Sequence, residues 1–135
     1  MKMFVIMMIL LILSNGVLSQ QGVFDPYTFN EGRCTGNYKW TTWFDTNDPN
    51  LTQGDLEITN HIKQFFPDFM CASPIAIEGQ TSFEQNPSIT GDVFRISVKD
   101  GFLCLNQHVA NYKNKMCQDY KVRYCCPATT LKAQI

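Results

Sequence analysis

Alternation of apolar and polar side chains is clearest in the C-terminal third of the chain. Residues 94–98 alternate with the period-2 pattern of a half-buried β-strand. The pair Asp100 and Gly101 follows, and such a pair readily adopts positive φ, so it predicts a hairpin turn with residues 102–105 returning antiparallel. Residues 120–124 alternate in the same way and predict a last strand that runs into two adjacent cysteines.

Residues 55–66 have apolar positions near helical spacing, which predicts one short helix ending before Pro67. Asp55 and Glu57 would lie in its first turn, where the helix dipole favours acids. The other predicted segments are strands at 38–44 and 75–77, and polar loops at 46–54, 80–90 and 106–116. The predicted fold class is α+β and β-dominated, a small disulfide-stapled antiparallel-sheet domain with one short helix.

The first 19 residues have the pattern of a secretory signal peptide. Lys2 supplies the positive charge, residues 3–13 are almost entirely apolar, and cleavage is predicted after Ser19, with Gly16 as the alternative. No later segment approaches the roughly 18 apolar residues that a membrane span needs. We therefore expect a secreted, extracellular protein without membrane insertion.

The charge balance gives no case for a nucleic-acid partner. Removing Lys2 with the signal leaves 10 basic residues against 12 acidic ones, a formal net charge of −2. Nucleic-acid binding depends on clustered positive charge, which this composition lacks.

The six cysteines all lie beyond the predicted signal peptide: Cys34, Cys71, Cys104, Cys117, Cys125 and Cys126. An even number in a small exported domain predicts disulfides, and six cysteines allow 15 connectivities, among which spacing does not choose. A structural zinc site is disfavoured, because no Cys-x-x-Cys pair occurs and His61 and His108 stand far apart.

Both tryptophans and a run of oxygen ligands occupy one short segment. Hard cations such as calcium take six to eight oxygens from carboxylates, amides and backbone carbonyls. The calcium candidates are Asp45, Asn47, Asp55 and Glu57. The alternative is a solvated loop in which Asp55 and Glu57 stabilise the start of the helix.

Two modification sites are predicted in the same segment. Trp40 and Trp43 are spaced as in the C-mannosylation signal of exported proteins, which makes Trp40 the candidate acceptor. On a strand, the two rings would point to opposite faces, so one should be buried and the other exposed. Asn50 begins an N-glycosylation sequon, whereas the sequon at Asn86 is blocked by proline.

Catalysis has little support in the sequence. No nucleophile, base and orienting group occur together in an activating motif. Asp45 and Asp55 could form a carboxylate pair for sugar hydrolysis, but a chain this small lacks an obvious second layer to form a cleft. We therefore do not expect an enzyme.

Four ordered motifs resemble the WxxW domain, the cysteine-rich module of gel-forming mucins that is also found in cartilage intermediate layer protein. They are Trp40-Thr-Thr-Trp43-Phe44-Asp45 with Gly54-Asp55-x-Glu57, Cys71-x-x-Pro74-x-x-Ile77-Glu78, Gly101-x-x-Cys104-x-Asn106, and Cys117-x-x-Tyr120-x-Val122-Arg123. The resemblance places this domain at 34–127, after a lead-in at 20–33 and before a tail at 128–135.

Departures from the mucin pattern carry information about the disulfides. The mucin domains have cysteines at the positions of Gly79 and Ile96, and both are missing here together. This implies that the two are bonded to each other in mucins and that this chain has lost one whole bridge. Four of the cysteines present in this chain, Cys71, Cys104, Cys117 and Cys126, match the family core. The resemblance implies that the remaining two, Cys34 and Cys125, are an additional pair.

The resemblance implies a non-catalytic interaction module. Mucin WxxW domains bind calcium and self-associate weakly, so a structural calcium ion, mucins or matrix glycoproteins as partners, and a weak homo-oligomer are expected. The alternative is a small secreted effector or inhibitor on the same disulfide scaffold. Such a protein would act through an exposed rigid loop, for which residues 80–90 and 107–116 are the candidates.

Overall fold

The computed structural model describes residues 25–106 and 116–132. Its elements are the strands β1 (Tyr27–Asn30), β2 (Tyr38–Trp40) and β3 (Gly54–Ile58), the helix α1 (Thr59–Phe65), and the strands β4 (Ala76–Thr81), β5 (Phe94–Ser97), β6 (Gly101–Leu105) and β7 (Tyr120–Pro127). Short 3₁₀ turns occur at Pro87–Ile89 and Ala128–Thr130. The predicted signal peptide and most of the predicted loop at 106–116 lie outside the described residues.

Two antiparallel sheets make up the fold, which confirms the predicted class. One sheet has the order β1-β4-β7-β2 and the other β3-β6-β5. The predicted hairpin is confirmed, since β5 pairs with β6 and Gly101 has a φ of 104° at the turn. A Cβ atom at Gly101 would overlap the carbonyl oxygen of Glu57 on the neighbouring strand, so glycine is required there.

The core contains side chains from both sheets. Ile77 of β4, Phe102 of β6, and Tyr120, Val122 and Tyr124 of β7 are fully buried. These side chains occupy alternate positions of their strands, as half-buried strands require. Thr59 at the start of α1 joins this core through a 2.6 Å hydrogen bond between its hydroxyl and that of Tyr124.

Three disulfides join Cys34 to Cys125, Cys71 to Cys126, and Cys104 to Cys117, and they use every cysteine of the chain. The first pair is the one that the resemblance implied. Cys125 and Cys126 are neighbours on β7, and side chains of neighbouring strand residues point to opposite faces, so they reach separate partners.

The two positions where mucins carry further cysteines are adjacent in space. A Cβ atom built on Gly79 would lie 3.5 Å from Cδ1 of Ile96. That proximity agrees with the inference that this chain has lost one bridge rather than two unrelated cysteines. Phe102 packs against the same glycine, so apolar contacts between the sheets occupy the place of the lost bond.

Three sequence predictions need correction. The predicted helix at 55–66 is wrong in its first part, because residues 54–58 form β3 and the helix begins at Thr59. The predicted loop at 80–90 starts too early, since β4 continues to Thr81. The lead-in contains a strand, β1, in which aromatic and polar residues alternate although all four are exposed; pairing with β4 defines it.

Candidate acidic calcium site

Strand β3 buries its polar residues and exposes its apolar ones. Asp55 and Glu57 have no solvent-accessible surface, whereas Leu56 and Ile58 are only partly buried. Charged side chains are almost never fully buried unless they are paired or hold a metal. The strand pairs with β6 along its whole length, and this register places Asp55 opposite Cys104 and Glu57 opposite Phe102. The inward face of β3 is therefore the place to look for a binding site.

Glu57 organises the loop that precedes β3. Its Oε2 accepts hydrogen bonds from the backbone N–H of Thr46 at 2.7 Å and from the Thr46 hydroxyl at 2.8 Å. Its Oε1 accepts a bond from the backbone N–H of Asn47 at 3.2 Å. These bonds hold the backbone immediately after Asp45 in place, and so they help to orient the Asp45 side chain.

Asp55 joins β3 to the start of β7 and has one unsatisfied oxygen. Its Oδ2 accepts a 2.5 Å hydrogen bond from the backbone N–H of Tyr120. Its Oδ1 is buried without a hydrogen-bond partner among the described residues, and so is Oδ1 of Asp119, the residue before Tyr120. Leaving a buried acceptor without a hydrogen bond costs about 1–3 kcal/mol, and more when the acceptor is charged. Both oxygens therefore remain free to accept a further hydrogen bond or to coordinate a cation.

Three carboxylates converge beside these oxygens. Asp45, Asp48 and Asp119 each place a carboxylate oxygen within 4.8 Å of the other two. Asp45 and Asp48 are exposed and Asp119 is half-buried, so the group is open to solvent on one side. None of the ion pairs formed by the described residues involves these three side chains or those of Asp55 and Glu57.

The pKa values record how unfavourable this concentration of negative charge is. Burial raises the pKa of Asp55 from 3.8 to about 8, and the charges of Glu57, Asp119 and Asp45 add to the shift. Burial also raises the pKa of Glu57 from 4.5 to about 8, against the lowering effect of its bonds to Thr46. For Asp45, burial and then the charges of Asp119 and Asp48 raise the pKa from 3.8 to about 6.

These residues fit a hard cation. Two oxygens that each lie 2.3–2.6 Å from one calcium ion are at most about 5 Å apart, which the three converging aspartates satisfy. A divalent ion would offset the clustered charge and supply a partner for the orphaned oxygens of Asp55 and Asp119. The donor set is made of oxygens alone, which suits calcium rather than zinc.

The four sequence-predicted ligands have different places in this arrangement. Asp45 belongs to the converging group with Asp48 and Asp119. Asp55 is outside that group and is connected to it by its electrostatic interactions with Asp45 and Asp119. Glu57 lies beside it, with both oxygens engaged by the loop backbone. Asn47 bonds to Glu57 through its backbone and lines a shallow cleft with Leu56 and His61.

Sequence reasoning missed Asp119 and did not select Asp48 as a ligand. Asp48 stands in the acidic run that drew attention to the loop. Asp119 is far away in the chain, and only the closing motif Cys117-x-x-Tyr120 would have directed attention to it.

The two tryptophans share one cation instead of pointing to opposite faces. The Arg123 guanidinium lies 4.9 Å from the Trp40 ring centre and 4.7 Å from that of Trp43, and both rings are half-buried. The prediction of opposite faces is wrong, because β2 ends at Trp40 and the chain leaves the strand geometry before Trp43. Arg123 also bonds Glu78 at 3.0 Å, so the rings flank a sheltered ion pair.

Asn50 is exposed at the tip of the loop before β3. Its side-chain oxygen accepts bonds from the backbone N–H groups of Thr52 and Gln53, at 3.1 and 2.8 Å. The position is accessible, as a glycan acceptor must be.

Fold and site define a small disulfide-stapled β domain with a partly exposed acidic cluster and a tryptophan-flanked ion pair. No helix among residues 25–106 and 116–132 is long and apolar enough to cross a membrane. The model of the mucin-2 protein WxxW repeating region matches residues 40–126. The chain belongs to this WxxW family.

Curated relatives fall into two groups. Mouse cartilage intermediate layer protein 1 is 35% identical over 94 residues, which is 70% of this chain and 8% of the relative. Human cartilage intermediate layer protein 2 is 32% identical over 90 residues, 66% of this chain and 8% of the relative. Human mucin-5AC is 34% identical over 112 residues, 77% of this chain and 2% of the relative. The chain thus corresponds to one small part of each of these much longer proteins.

Proposed function

We propose that this chain is a secreted, calcium-stabilised interaction module of mucus or extracellular matrix that self-associates weakly and has no catalytic role. The supporting observations are the acidic cluster of Asp45, Asp48 and Asp119 and the buried oxygens of Asp55 and Asp119 that accept no hydrogen bond among the described residues. Three disulfides suit an oxidising extracellular setting. The relatives are mucin and cartilage-matrix proteins, which fits partners among mucins or matrix glycoproteins.

The proposed ligands are Asp45, Asp48 and Asp119, whose carboxylate oxygens converge within 4.8 Å, and Asp55, whose buried Oδ1 has no hydrogen-bond partner among the described residues. Asp45 and Asp48 come from the loop after Phe44, Asp55 from β3, and Asp119 from the segment before β7. An ion held by all four would tie these three segments together. Glu57 would act as a positioning residue, since its bonds to Thr46 and Asn47 hold the loop in the conformation that aims Asp45.

A hydrolytic carboxylate pair finds no support in the geometry. Asp55 has no exposed surface and its Oδ2 is engaged by the backbone of Tyr120. A catalytic acid or base must reach a substrate atom within hydrogen-bond distance. The buried position suits a structural role.

Thermal melts and light-scattering chromatography of the secreted protein, in calcium and then in chelator, test this proposal. We expect both the melting temperature and the average mass to fall in chelator. Asp119→Asn should remove the response to calcium, whereas Asp68→Asn, an exposed acid away from the cluster, should keep it. A calcium-indifferent monomer would contradict the proposal and favour the lone effector or inhibitor.

Two modifications belong to the same proposal. We propose a C-linked mannose on Trp40 and an N-linked glycan on the exposed Asn50. Mass spectrometry of peptides from the secreted protein should find one hexose on Trp40 and a glycan on Asn50. Unmodified peptides at both positions would contradict this part without affecting the calcium site.

A further inference from the structure

The outer face of the sheet β3-β6-β5 carries an apolar cleft of about 600 Å³. Its lining residues are Leu56, Ile58, Val93, Phe94, Arg95, Leu103 and Leu105. Small-molecule sites are concave, measure roughly 300–1,000 Å³, and combine mostly apolar walls with a few polar groups that orient the ligand. The cleft has this size and this composition.

Strand register explains why the face is concave. Arg95, Leu103 and Leu56 are directly opposite one another across the three strands and form one row of side chains. In the neighbouring rows, Leu105 pairs with Gly54, and Ile58 pairs with Gly101. Both glycines lack a side chain, so each of these rows projects fewer side chains from the sheet than the central row does. The face is therefore lower on either side of the central row.

The burial of carboxylates on β3 creates the apolar part of the face. Because Asp55 and Glu57 point inward, Leu56 and Ile58 must point outward, where they remain partly exposed. A second cleft of about 300 Å³ shares both residues and continues toward His61 and Phe65, whose side chain is 63% exposed. The apolar strip therefore crosses the whole sheet and extends past β3.

Among the described residues that line the larger cleft, Arg95 is the one that carries a charge. It is exposed, and no ion pair or hydrogen bond formed by the described residues involves its side chain. An unpaired guanidinium at one end of an apolar strip complements an anionic group joined to an apolar body. None of the described residues that line the cleft is acidic, so a second copy docked through the same face would supply no anionic partner for Arg95.

We propose that this cleft binds a single-chain amphiphile with a carboxylate head, such as a free fatty acid. The head lies at Arg95 on β5, and the apolar chain crosses β6 along Leu103 to Leu56 on β3. Neighbouring strands are about 5 Å apart, so the chain spans roughly 10 Å of sheet before it reaches the second cleft. The larger cleft lies on the opposite face of β3 from the buried Asp55 and Glu57. The second cleft reaches Thr46 and Asn47, which lie between Asp45 and Asp48 in the chain.

Titration calorimetry of the full secreted protein in low calcium tests the proposal with decanoate, decan-1-ol and decyltrimethylammonium, each below micelle-forming concentrations. We expect saturable binding of one decanoate per chain. The alcohol should bind roughly tenfold more weakly, because it lacks the charge-assisted bond to Arg95, and the cation should bind more weakly still. Anionic vesicles serve as the comparison for a membrane surface.

Substitutions locate the site and its head-group contact. Arg95→Gln should reduce decanoate affinity to that of decan-1-ol and leave the alcohol unchanged. Arg33→Gln, an exposed arginine between β1 and β2, is the matched control and should change nothing. Val93→Trp should weaken both ligands by filling the cleft from a position that is 55% exposed and therefore tolerant of a larger side chain.

Several results would overturn the proposal: no saturable binding of decanoate, equal affinity for the cationic amphiphile, equal effects of Arg95→Gln and Arg33→Gln, or binding to vesicles without binding to monomeric decanoate. None of these results bears on the calcium response, which is measured separately with Asp119→Asn.

Discussion

Strands β7 and β3 share a period-2 backbone but bury opposite kinds of side chain. In β7, Tyr120, Val122 and Tyr124 point inward, and the cationic residues between them point outward. In β3, Asp55 and Glu57 point inward and the aliphatic residues point outward. The first pattern needs only the hydrophobic effect. The second is unfavourable unless a cation or protons compensate the buried charge. Stability should therefore respond to solution conditions through β3 and not through the conventional core.

Among the substitutions, the largest effect is expected in the conventional core. Ile77 of β4 is fully buried and lies opposite Tyr124 of β7. Ile77→Ala should lower the free energy of unfolding by about 2–5 kcal/mol, from lost burial and the cavity that remains. Urea unfolding in calcium and in chelator should give the same loss. A loss that depends strongly on calcium would show that the two regions do not act separately.

A somewhat smaller effect, which changes sign with conditions, is expected for the inverted strand. Asp55→Asn removes a buried charge but keeps an oxygen that can accept the bond from Tyr120. In chelator near pH 8, the variant should be more stable than the parent protein. In calcium at 100 times its dissociation constant, the parent should gain about 2.7 kcal/mol that the variant lacks.

Asp68→Asn is the control for this substitution. Asp68 is exposed and faces Lys132 at 3.6 Å, a surface pair worth about 0–1 kcal/mol. It should change stability equally with and without calcium. If Asp55→Asn also has the same effect in both solutions, Asp55 has no part in an ion site.

The contrast between the strands also explains what the sequence could predict. The hairpin β5–β6 and strand β7 were predictable because their buried positions carry apolar residues, so the alternation is visible. Strand β3 was mistaken for the first turn of a helix because its inward residues are acids, and a hydrophobic-periodicity pattern assigns charged residues to the solvent side. The wrong assignment was itself a signal, since Asp55, Leu56, Glu57 and Ile58 alternate perfectly once the buried set is taken to be the polar one.

The candidate site was predictable only where its residues are close in sequence. Asp45 and Asp55 were found because they flank one polar loop. Asp119 is brought to the site by the pairing of β7 with β4 and by the hydrogen bond between its neighbour Tyr120 and Asp55. That bond joins residues 65 positions apart in the chain. Such convergence depends on the tertiary structure, and local patterns carry no record of it. The position of the Arg123 guanidinium beside both tryptophan rings could not be predicted from the sequence for the same reason.

pH alone should change stability by an amount that grows with the pH interval, unlike the fixed effect of each substitution. In the unfolded chain, Asp and Glu titrate near 3.8 and 4.5, whereas Asp55 and Glu57 in the fold have a pKa of about 8. Between these values the folded state holds protons that the unfolded state has lost, so calcium-free stability should fall as pH rises from about 4 to about 8. The slope is on the order of 1 kcal/mol per pH unit for each such group.

Melts in chelator at pH 5 and pH 8 measure this slope, and the same melts in calcium should show a much shallower one. Calcium stabilisation should be greatest at pH 8, where the carboxylates are most ready to lose their protons to the ion. A calcium-free protein that is more stable at pH 8 than at pH 5 would contradict the raised pKa values.

The smallest effect is expected on the outward side of β3. Leu56 is next to both buried acids in the chain but lies on the partly exposed face. Leu56→Gln should cost about 1 kcal/mol or less, because only part of its apolar surface leaves an apolar environment. The cost should be equal in calcium and in chelator, unlike that of Asp55→Asn one residue earlier. If urea unfolding instead gives a calcium-dependent loss for Leu56→Gln, the two faces of β3 are coupled, and the outer face depends on the ion that we propose for the inner one.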